Sequence, residues 1–257
     1  MNAPLLHLHR QPDGVARLTL NDPGRFNALG SEMLQALLEQ LQALAADDSL
    51  RAVVLAGNGK AFCAGHNLKD MAAHPELAWY QALFAQCSRV MLAIHRLPVP
   101  VIAQVHGIAT AAGCQLVAQC DLAVASEDAR FATSGIQYGL FCSTPSVPLV
   151  RNVPLKLAMD MLVTGRFISA QEALAAGLIN RIAPAEGLEA AVQELLDAIL
   201  SKPRISIARG KALLYAQREM GLEAAYQLAA QTMAINMMDP AAQEGALAFA
   251  EKRPPRW

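Results

Sequence analysis

The chain has 257 residues, of which 54% are hydrophobic and 17% are charged, and its formal net charge is −1. This length and apolar content predict a large buried core and argue against a disordered protein. The balanced charge argues against a general nucleic-acid binder and against attachment to an anionic membrane surface.

The predicted elements alternate between strands and helices. Apolar runs of four to six residues bounded by Gly, Pro or Asp indicate strands, and apolar residues at helical spacing indicate helices. The predicted strands cover residues 5–9, 15–20, 52–56, 101–105, 121–126, 130–133 and 178–182. The predicted helices cover residues 31–46, 78–95, 110–120, 155–164, 169–177, 188–200, 205–220, 222–238 and 241–252. Ser31 is the expected N-cap of the first helix, and Ser169 with Glu172 has the spacing of a capping box.

This alternation predicts the α/β class, with largely parallel sheets covered by helices. Residues 135–148 are rich in Gly, Ser, Thr and Pro and have no clear period, so we expect a long irregular segment with a functional role. No linker precedes the helices that follow residue 188, so we expect them to be appended to the same domain.

The five cysteines are scattered and form no CxxC pair, and residues 1–10 lack the basic and apolar regions of a secretory signal. We therefore expect reduced thiols and a cytoplasmic location, without a disulfide framework or zinc ribbon. The most apolar window, residues 99–125, is interrupted by polar side chains and predicts buried core instead of a membrane span.

Residues 101–126 form a predicted strand–helix–strand unit at the centre of the chain. Thr110 is the expected N-cap of its helix, which then begins with Ala111, Ala112 and Gly113. A helix N-terminus has unpaired N–H groups and a positive dipole end, and such small residues would let an electron-rich ligand approach that backbone. The alternative is that the small residues only permit close packing of the helix, and this unit alone favours neither interpretation.

Several other catalytic patterns are incomplete. Gly57 and Gly59 begin a glycine-rich loop, but Phe62 stands where a dinucleotide fingerprint needs its third glycine, and Ala61 stands where a phosphate loop needs Ser or Thr. No Gly-x-Ser-x-Gly elbow occurs. The pair of His7 and His9 has no further ligands nearby, so no metal site is predicted. A dinucleotide enzyme and a serine hydrolase are thus disfavoured.

Three segments, residues 61–71, 106–126 and 165–184, together resemble the enoyl-CoA hydratase/isomerase family, the crotonases, and residues 25–28 and 251–253 extend the resemblance to both ends. Two shorter segments, residues 112–116 and 139–145, resemble one subfamily in particular. The resemblance implies a crotonase-like ββα spiral over residues 1–190 and a C-terminal helical region, residues 191–257, that serves oligomerisation and covers coenzyme A (CoA). It also implies a homotrimer or dimer of trimers, and an acyl-CoA thioester as substrate or ligand, with no permanently bound cofactor.

The resemblance also implies functional residues. The two backbone N–H groups of the family's oxyanion hole fall at His66 and Ala112. Catalytic candidates therefore include these two amides, Gln115, and Ser143, which lies near the position where some relatives carry an aspartate. The residues expected at the CoA moiety are Arg25, Ala28, Ala64, Gly65, His66, Asn67, Leu68, Lys69 and Lys252, the last reaching from a neighbouring subunit.

The sequence departs from the hydratases at both catalytic glutamates, which fall at Gln115 and Gly135. A glutamine amide cannot accept a proton near neutral pH, and glycine has no side chain. Positioned acid–base groups contribute about 10²–10⁴-fold in rate, so ordinary hydration is expected to be weak. Two functions remain open. One is an enzyme of fatty-acid or acyl-CoA metabolism, nominally a hydratase (lyase) or isomerase, whose oxyanion hole could also serve thioester cleavage or decarboxylation. The other is a catalytically silent acyl-CoA-binding protein.

Overall fold

Residues 3–257 are described by a computed structural model, and two sheets organise its first 183 residues. Within each sheet the strands follow the order of the chain, and the strands missing from the larger sheet form the smaller one. Across the larger sheet the strands are β1 (Leu6–Arg10), β2 (Val15–Leu20), β3 (Ala52–Gly57), β4 (Val101–Val105), β6 (Leu122–Ser126) and β9 (Arg181–Ala183). The smaller sheet contains β5 (Ile108–Thr110), β7 (Arg130–Ala132) and β8 (Ile168–Ser169).

Strand directions agree with the predicted α/β class. Strands β1 and β2 form the expected antiparallel hairpin, β7 and β8 are also antiparallel, and every other pair is parallel. Strand β3 is buried over residues 52–56, because the centre of a parallel sheet is covered on both faces.

Most predicted helices are present within a few residues of the expected ends. The capping box of Ser169 and Glu172 forms both of its reciprocal hydrogen bonds. Ser31 is the first residue of its helix instead of the N-cap, a position that Gly30 takes without a side-chain bond. The helices are α1 (Ser31–Ala45), α2 (Leu68–Ala73), α3 (Leu77–Arg96), α4 (Ala112–Gln119), α5 (Ser143–Asn152), α6 (Leu155–Thr164), α7 (Ala170–Ala176), α8 (Leu188–Leu200), α9 (Arg204–Gln217), α10 (Leu222–Met237) and α11 (Pro240–Ala250).

The expectation that residues 135–148 are irregular is wrong. Ser134–Tyr138 is a short 3-10 helix, and α5 begins at Ser143. Pro145 lies in the first turn of α5, where a missing N–H removes no intrahelical hydrogen bond. Pro148 lies inside α5 and does remove one, but it is buried where α5 packs against α4. Tertiary packing therefore outweighs the local preference of this segment.

Helix α8 belongs to the sheet. Its buried residues Leu188, Val192 and Leu196 pack with Val54 and Ile102, side chains from β3 and β4. The predicted boundary between residues 190 and 191 therefore falls inside a helix that helps to form the core. The C-terminal region starts after α8, with α9.

A buried ionic network attaches α9 to the segments that precede the interior strands β4 and β6. The Lys211 ammonium donates to the carbonyls of Ile94 and Val99 at 3.1 and 3.0 Å and to the Asp121 carboxylate at 2.6 Å. The Tyr215 hydroxyl donates to the other Asp121 oxygen at 2.7 Å. Every charged group at this point therefore has a partner, which offsets the cost of burying it.

Candidate active site

An apolar cavity of about 480 Å³ lies between the loop that precedes α2, the start of α4 and the segment from residue 134 to 145. Its walls include Leu68, Met71, Phe84 and Phe141. None of the described residues that line it is Asp, Glu, Lys or Arg. A site of this kind suits an uncharged organic group, oriented by a small number of polar contacts.

Two glycines bring the walls together at one end of this cavity. Gly65 has φ +88°, and a Cβ atom there would lie 3.0 Å from the Ala112 nitrogen. A Cβ atom at Gly113 would lie only 2.0 Å from the Cys63 carbonyl oxygen. The close-packing interpretation of the small residues is therefore confirmed at Gly113. This packing also places His66, the residue after Gly65, beside the start of α4.

The backbone amides of His66 and Ala112 donate no hydrogen bond within residues 3–257. Neighbouring amides are used: Ala64 donates to Phe26 and Ala111 donates to Ala132, both at 3.0 Å. Ala112 is the first residue of α4, where an N–H has no intrahelical acceptor. Both His66 and Ala112 line the cavity, so two N–H groups remain available at its wall.

The predicted N-cap at Thr110 is wrong, because Thr110 ends strand β5 and pairs in parallel with Ala132. The N-cap of α4 is Ala111, whose φ of +50° and ψ of −120° are unusual for a residue with a side chain. Such backbone conformations cluster at functional sites, where the surrounding structure imposes them. Here the strand pairing on one side and the Gly65 contact on the other hold the amide of Ala112 in place.

The imidazole of His66 supports the loop that carries its own amide. Its Nδ1 lies 2.8 Å from the Leu29 carbonyl oxygen, and its ring packs edge-on against Phe84 with centroids 5.4 Å apart. A carbonyl only accepts, so Nδ1 carries the proton, and burial lowers the pKa of His66 and keeps it neutral. Nε2 is buried and has no partner among the described residues.

Neither of the two positions at which the resemblance implies a glutamate, Gln115 and Gly135, supplies a proton acceptor. Gln115 is 3% exposed and is not among the residues that line the cavity. Gly135 does line it, but a Cβ atom there would lie 2.7 Å from the Leu140 carbonyl oxygen and 2.8 Å from Cys142 Sγ. The segment after Gly135 thus occupies the space that a side chain at residue 135 would need.

Ser143 and Cys142 carry a hydroxyl and a thiol group at the same wall. Ser143 lines the cavity, and its hydroxyl donates to the Phe141 carbonyl at 3.3 Å. Cys142 precedes it, and burial raises the pKa of the Cys142 thiol. A thiol that stays protonated near neutral pH is a weak nucleophile. Neither group resembles an activated nucleophile.

The residues predicted at the CoA moiety divide into three groups. Ala64, His66 and Leu68 line the apolar cavity, with Gly65 packed between them. A second cavity of about 310 Å³ is lined by Arg25, Ala28 and Asn67. Leu29 lies between the two cavities, because its N–H donates to the Gly65 carbonyl and its own carbonyl accepts from His66. Lys69 and Lys252 are exposed and line neither cavity.

Two hydroxyl groups of the cavity are not predictable from the sequence. The Oγ atoms of Thr110 and Ser134 lie 2.7 Å apart, and both residues line the wall. They are 24 positions apart in different elements, so no local pattern identifies them as a pair. Phe84, contributed by α3, was missed for the same reason.

Among residues 3–257, no group of three His, Cys, Asp or Glu side chains could hold a metal ion. Over the same range, no helix is both long and apolar enough to cross a membrane.

Known proteins match this chain over nearly its whole length. The sequence profile described as enoyl-CoA hydratase/isomerase matches residues 10–257. The mitochondrial enoyl-CoA hydratase domain-containing protein 3 of Mus musculus is 45% identical and covers 99% of this chain and 85% of its own length. The Homo sapiens protein of the same name is 43% identical, covering 96% of this chain and 82% of its own.

Solved structures agree with this. A crystal structure of enoyl-CoA hydratase from Mycobacterium smegmatis has a TM-score of 0.98 and 59% identity, covering 99% of both chains. The crystal structure of human enoyl-CoA hydratase domain-containing protein 3 has a TM-score of 0.94 and 42% identity, covering 98% of this chain and 100% of its own.

The expected cytoplasmic location is contradicted by these relatives, because the vertebrate proteins are named mitochondrial. The expectation came from the cysteines. Unpaired cysteines distinguish reducing from oxidising compartments, and they do not distinguish one reducing compartment from another.

Proposed function

The chain belongs to the enoyl-CoA hydratase/isomerase family, and on this premise we propose that its apolar cavity binds the acyl group of an acyl-CoA thioester. The predicted crotonase-like fold is confirmed, as is the subfamily of enoyl-CoA hydratase domain-containing protein 3. The observation that carries the proposal is the pair of unpartnered amides, His66 and Ala112, at the wall of an uncharged cavity.

In this proposal the thioester carbonyl oxygen accepts a hydrogen bond from each of the two amides. Both bonds strengthen when the oxygen gains negative charge, as it does in an enolate. One donor of this kind contributes roughly 2.7–4 kcal/mol to the stability of such a state. The dipole of α4 adds in the same direction, because its N-terminus faces the oxygen.

The lack of a proton acceptor limits what the cavity does with a bound enoyl group. Water addition needs a base for the water and an acid for the α carbon. Gln115 lies outside the cavity wall, and Gly135 has no side chain. We therefore propose tight binding of acyl-CoA with slow hydration, and the silent binding protein is the second candidate. The uncharged wall of the cavity favours this silent binding protein, because the wall supplies no acid–base group.

The second cavity is the proposed location of the CoA nucleotide. Arg25 supplies a cation at its wall, although its guanidinium also bonds to the Asp22 carboxylate at 2.7 Å. Leu29 lies between the two cavities, and the connecting arm of CoA would pass over it. Lys69 and Lys252 are proposed to contact phosphate only when an acyl-CoA or a second subunit is present.

We also propose that the chain forms a homotrimer or a dimer of trimers. The C-terminal region exposes large apolar side chains, among them Met233 at 71% and Phe249 at 87% exposure. Helix α10 buries Ala225 alone among its residues in this single chain. Light scattering after size-exclusion chromatography tests the proposal: a mass of three or six chains supports it, and a monomer contradicts it.

Two measurements test the proposed function. Isothermal titration with butyryl-CoA is expected to give saturable binding that is at least 10-fold tighter than that of free CoA. With a ¹³C label at the thioester carbonyl, infrared difference spectra are expected to show the carbonyl band of bound ligand at lower frequency than in water. Failure of butyryl-CoA to bind, or a bound carbonyl band at unchanged frequency, contradicts the proposal.

Hydration of crotonyl-CoA separates the two candidates. A family hydratase that carries both glutamates serves as the reference. The enzyme candidate predicts a rate about 10²–10⁴-fold below the reference, because the acid–base groups are missing. The silent candidate predicts no rate above that of buffer.

A further inference from the structure

A pair of hydroxyl groups that are hydrogen-bonded to each other lies in the wall of the acyl cavity. Thr110 ends β5, and Ser134 follows β7, the strand that pairs with β5 in parallel. The register places Ala132 opposite Thr110, so Ser134 is two residues past that pairing. This fixed strand pairing holds the two Oγ atoms 2.7 Å apart.

The hydrogen bonding of the pair is incomplete. Two hydroxyl groups have two protons, and only one proton lies between the two oxygens. The other O–H has no acceptor among residues 3–257. Thr110 is only 9% exposed, and the surrounding wall includes Leu68, Phe84 and Phe141. A hydroxyl in such surroundings is stabilised by any ligand that offers it an acceptor.

The position of the pair defines which part of a ligand it can meet. Thr110 is two residues before Ala112, so their Cα atoms are no more than about 7.6 Å apart. The thioester oxygen is placed at the Ala112 amide under the proposed function. The hydroxyl pair therefore lies within reach of the first few carbons of the acyl chain.

We propose that Thr110 and Ser134 select acyl groups that carry an oxygen near the third carbon, such as 3-hydroxyacyl-CoA. This inference rests on the proposed function, because it needs the thioester to be held at Ala112. The free O–H donates a hydrogen bond to the ligand oxygen, and a lone pair of the other hydroxyl accepts a hydrogen bond from the ligand hydroxyl. A plain acyl chain satisfies neither group.

The test compares 3-hydroxybutyryl-CoA, as separate enantiomers, with butyryl-CoA by isothermal titration. The wild-type protein is expected to bind one enantiomer about 10-fold more tightly than butyryl-CoA, as one net hydrogen bond provides. A 3-oxoacyl ligand is avoided, because its readily formed enolate would strengthen binding at the amides instead.

Two variants assign the preference to the pair. In the double variant Thr110→Val/Ser134→Ala the preference is expected to fall below about twofold, while the affinity for butyryl-CoA stays within about twofold of wild type. Ser201→Ala is the control, because its exposed hydroxyl bonds to the Ala198 carbonyl at 2.9 Å and lies outside the cavity. It is expected to keep the full preference. Should the double variant fail to fold, Ser134→Ala alone is expected to lower the preference at least threefold.

The outcomes separate this inference from the proposed function. Equal binding of both ligands to wild type, or a preference that survives loss of both hydroxyls, overturns the selection by Thr110 and Ser134 and leaves acyl-CoA binding intact. Failure of both ligands to bind overturns the proposed function, and the inference with it.

Discussion

Gly135 is a residue at which the surrounding backbone leaves no room for a side chain. The resemblance implies a glutamate of the hydratases at this position, yet the Leu140 carbonyl oxygen and the Cys142 sulfur lie only 2.7 and 2.8 Å from where its Cβ would be. A glutamate side chain at residue 135 would therefore require residues 139–142 to move. The path of residues 139–142 therefore requires glycine at residue 135.

Gly135→Ala is expected to lower the free energy of unfolding by about 1–3 kcal/mol, the usual cost of adding an atom to a filled space. Urea denaturation measures it. Gly24→Ala is the control, because a Cβ atom at Gly24 meets no neighbour within 4 Å. The control should change the free energy by less than about 0.5 kcal/mol. Equal effects at both glycines would contradict the crowding at Gly135.

His66 makes stability depend on pH in a defined direction. Burial lowers its pKa in the folded protein, so the unfolded chain binds the proton first as pH falls. This residue's contribution is present above its ordinary pKa of about 6.5 and is lost as pH falls toward the lower folded value.

His66→Asn removes the titration and keeps an N–H donor for the Leu29 carbonyl. The decrease in unfolding free energy from pH 8 to pH 5 is expected to be smaller in the variant than in wild type. Urea denaturation at several pH values measures both curves. Parallel curves would show that His66 does not bind its proton more weakly in the folded state.

At the scale of elements, long helices and apolar strands were predictable, and short pieces were not. The buried face of α1 repeats at helical spacing, so its extent follows from the sequence. Strand β8 has only two residues and β5 has three, too few to show a period. Thr110 was therefore assigned to a helix cap, although its backbone pairs with β7.

The attachment of α9 also depends on contacts between distant parts of the chain. Lys211 reaches carbonyls more than 110 positions away, and its partner Asp121 is 90 positions away. In the sequence these are an ordinary lysine and aspartate. Only the fold pairs them, because it places α9 beside the C-terminal end of α3 and the start of β4.

Lys211→Met is expected to lower the free energy of unfolding by about 3–5 kcal/mol, because it leaves the Asp121 carboxylate buried without its cation. Tyr215→Phe removes one hydrogen bond to the same carboxylate and should cost about 1.5–3 kcal/mol. Lys156→Met, at an exposed position of α6, is the control and should change stability by less than about 0.5 kcal/mol. Urea denaturation compares the three variants. A Lys211 effect no larger than the control would contradict a buried ionic attachment.

For the whole molecule, three ordered motifs were enough to predict the family and fold, because they describe backbone features that the fold requires. Gly65 and Gly113 are such features, since both lie where another backbone approaches closely. Charge and cysteine content were less informative. Neither property identifies a fold or a site, and the cytoplasmic location inferred from the cysteines is contradicted by the relatives.

The cavity was only partly predictable. The motifs indicate the amides of His66 and Ala112, whose role as an oxyanion hole stays a prediction, whereas the hydroxyl pair of Thr110 and Ser134 depends on the register between β5 and β7. The division of the residues predicted at the CoA moiety between two cavities likewise depends on how Leu29 bonds to Gly65 and His66. Such features arise from pairing between segments and leave no trace in a single segment.

A crystal structure of the protein with butyryl-CoA tests the central claim most directly. We predict that the thioester oxygen lies about 2.7–3.1 Å from both the His66 and Ala112 nitrogens. No Asp or Glu carboxylate should contact the second or third carbon of the acyl group. A thioester oxygen bound elsewhere, or an Asp or Glu side chain that enters the cavity with the ligand, would contradict the account.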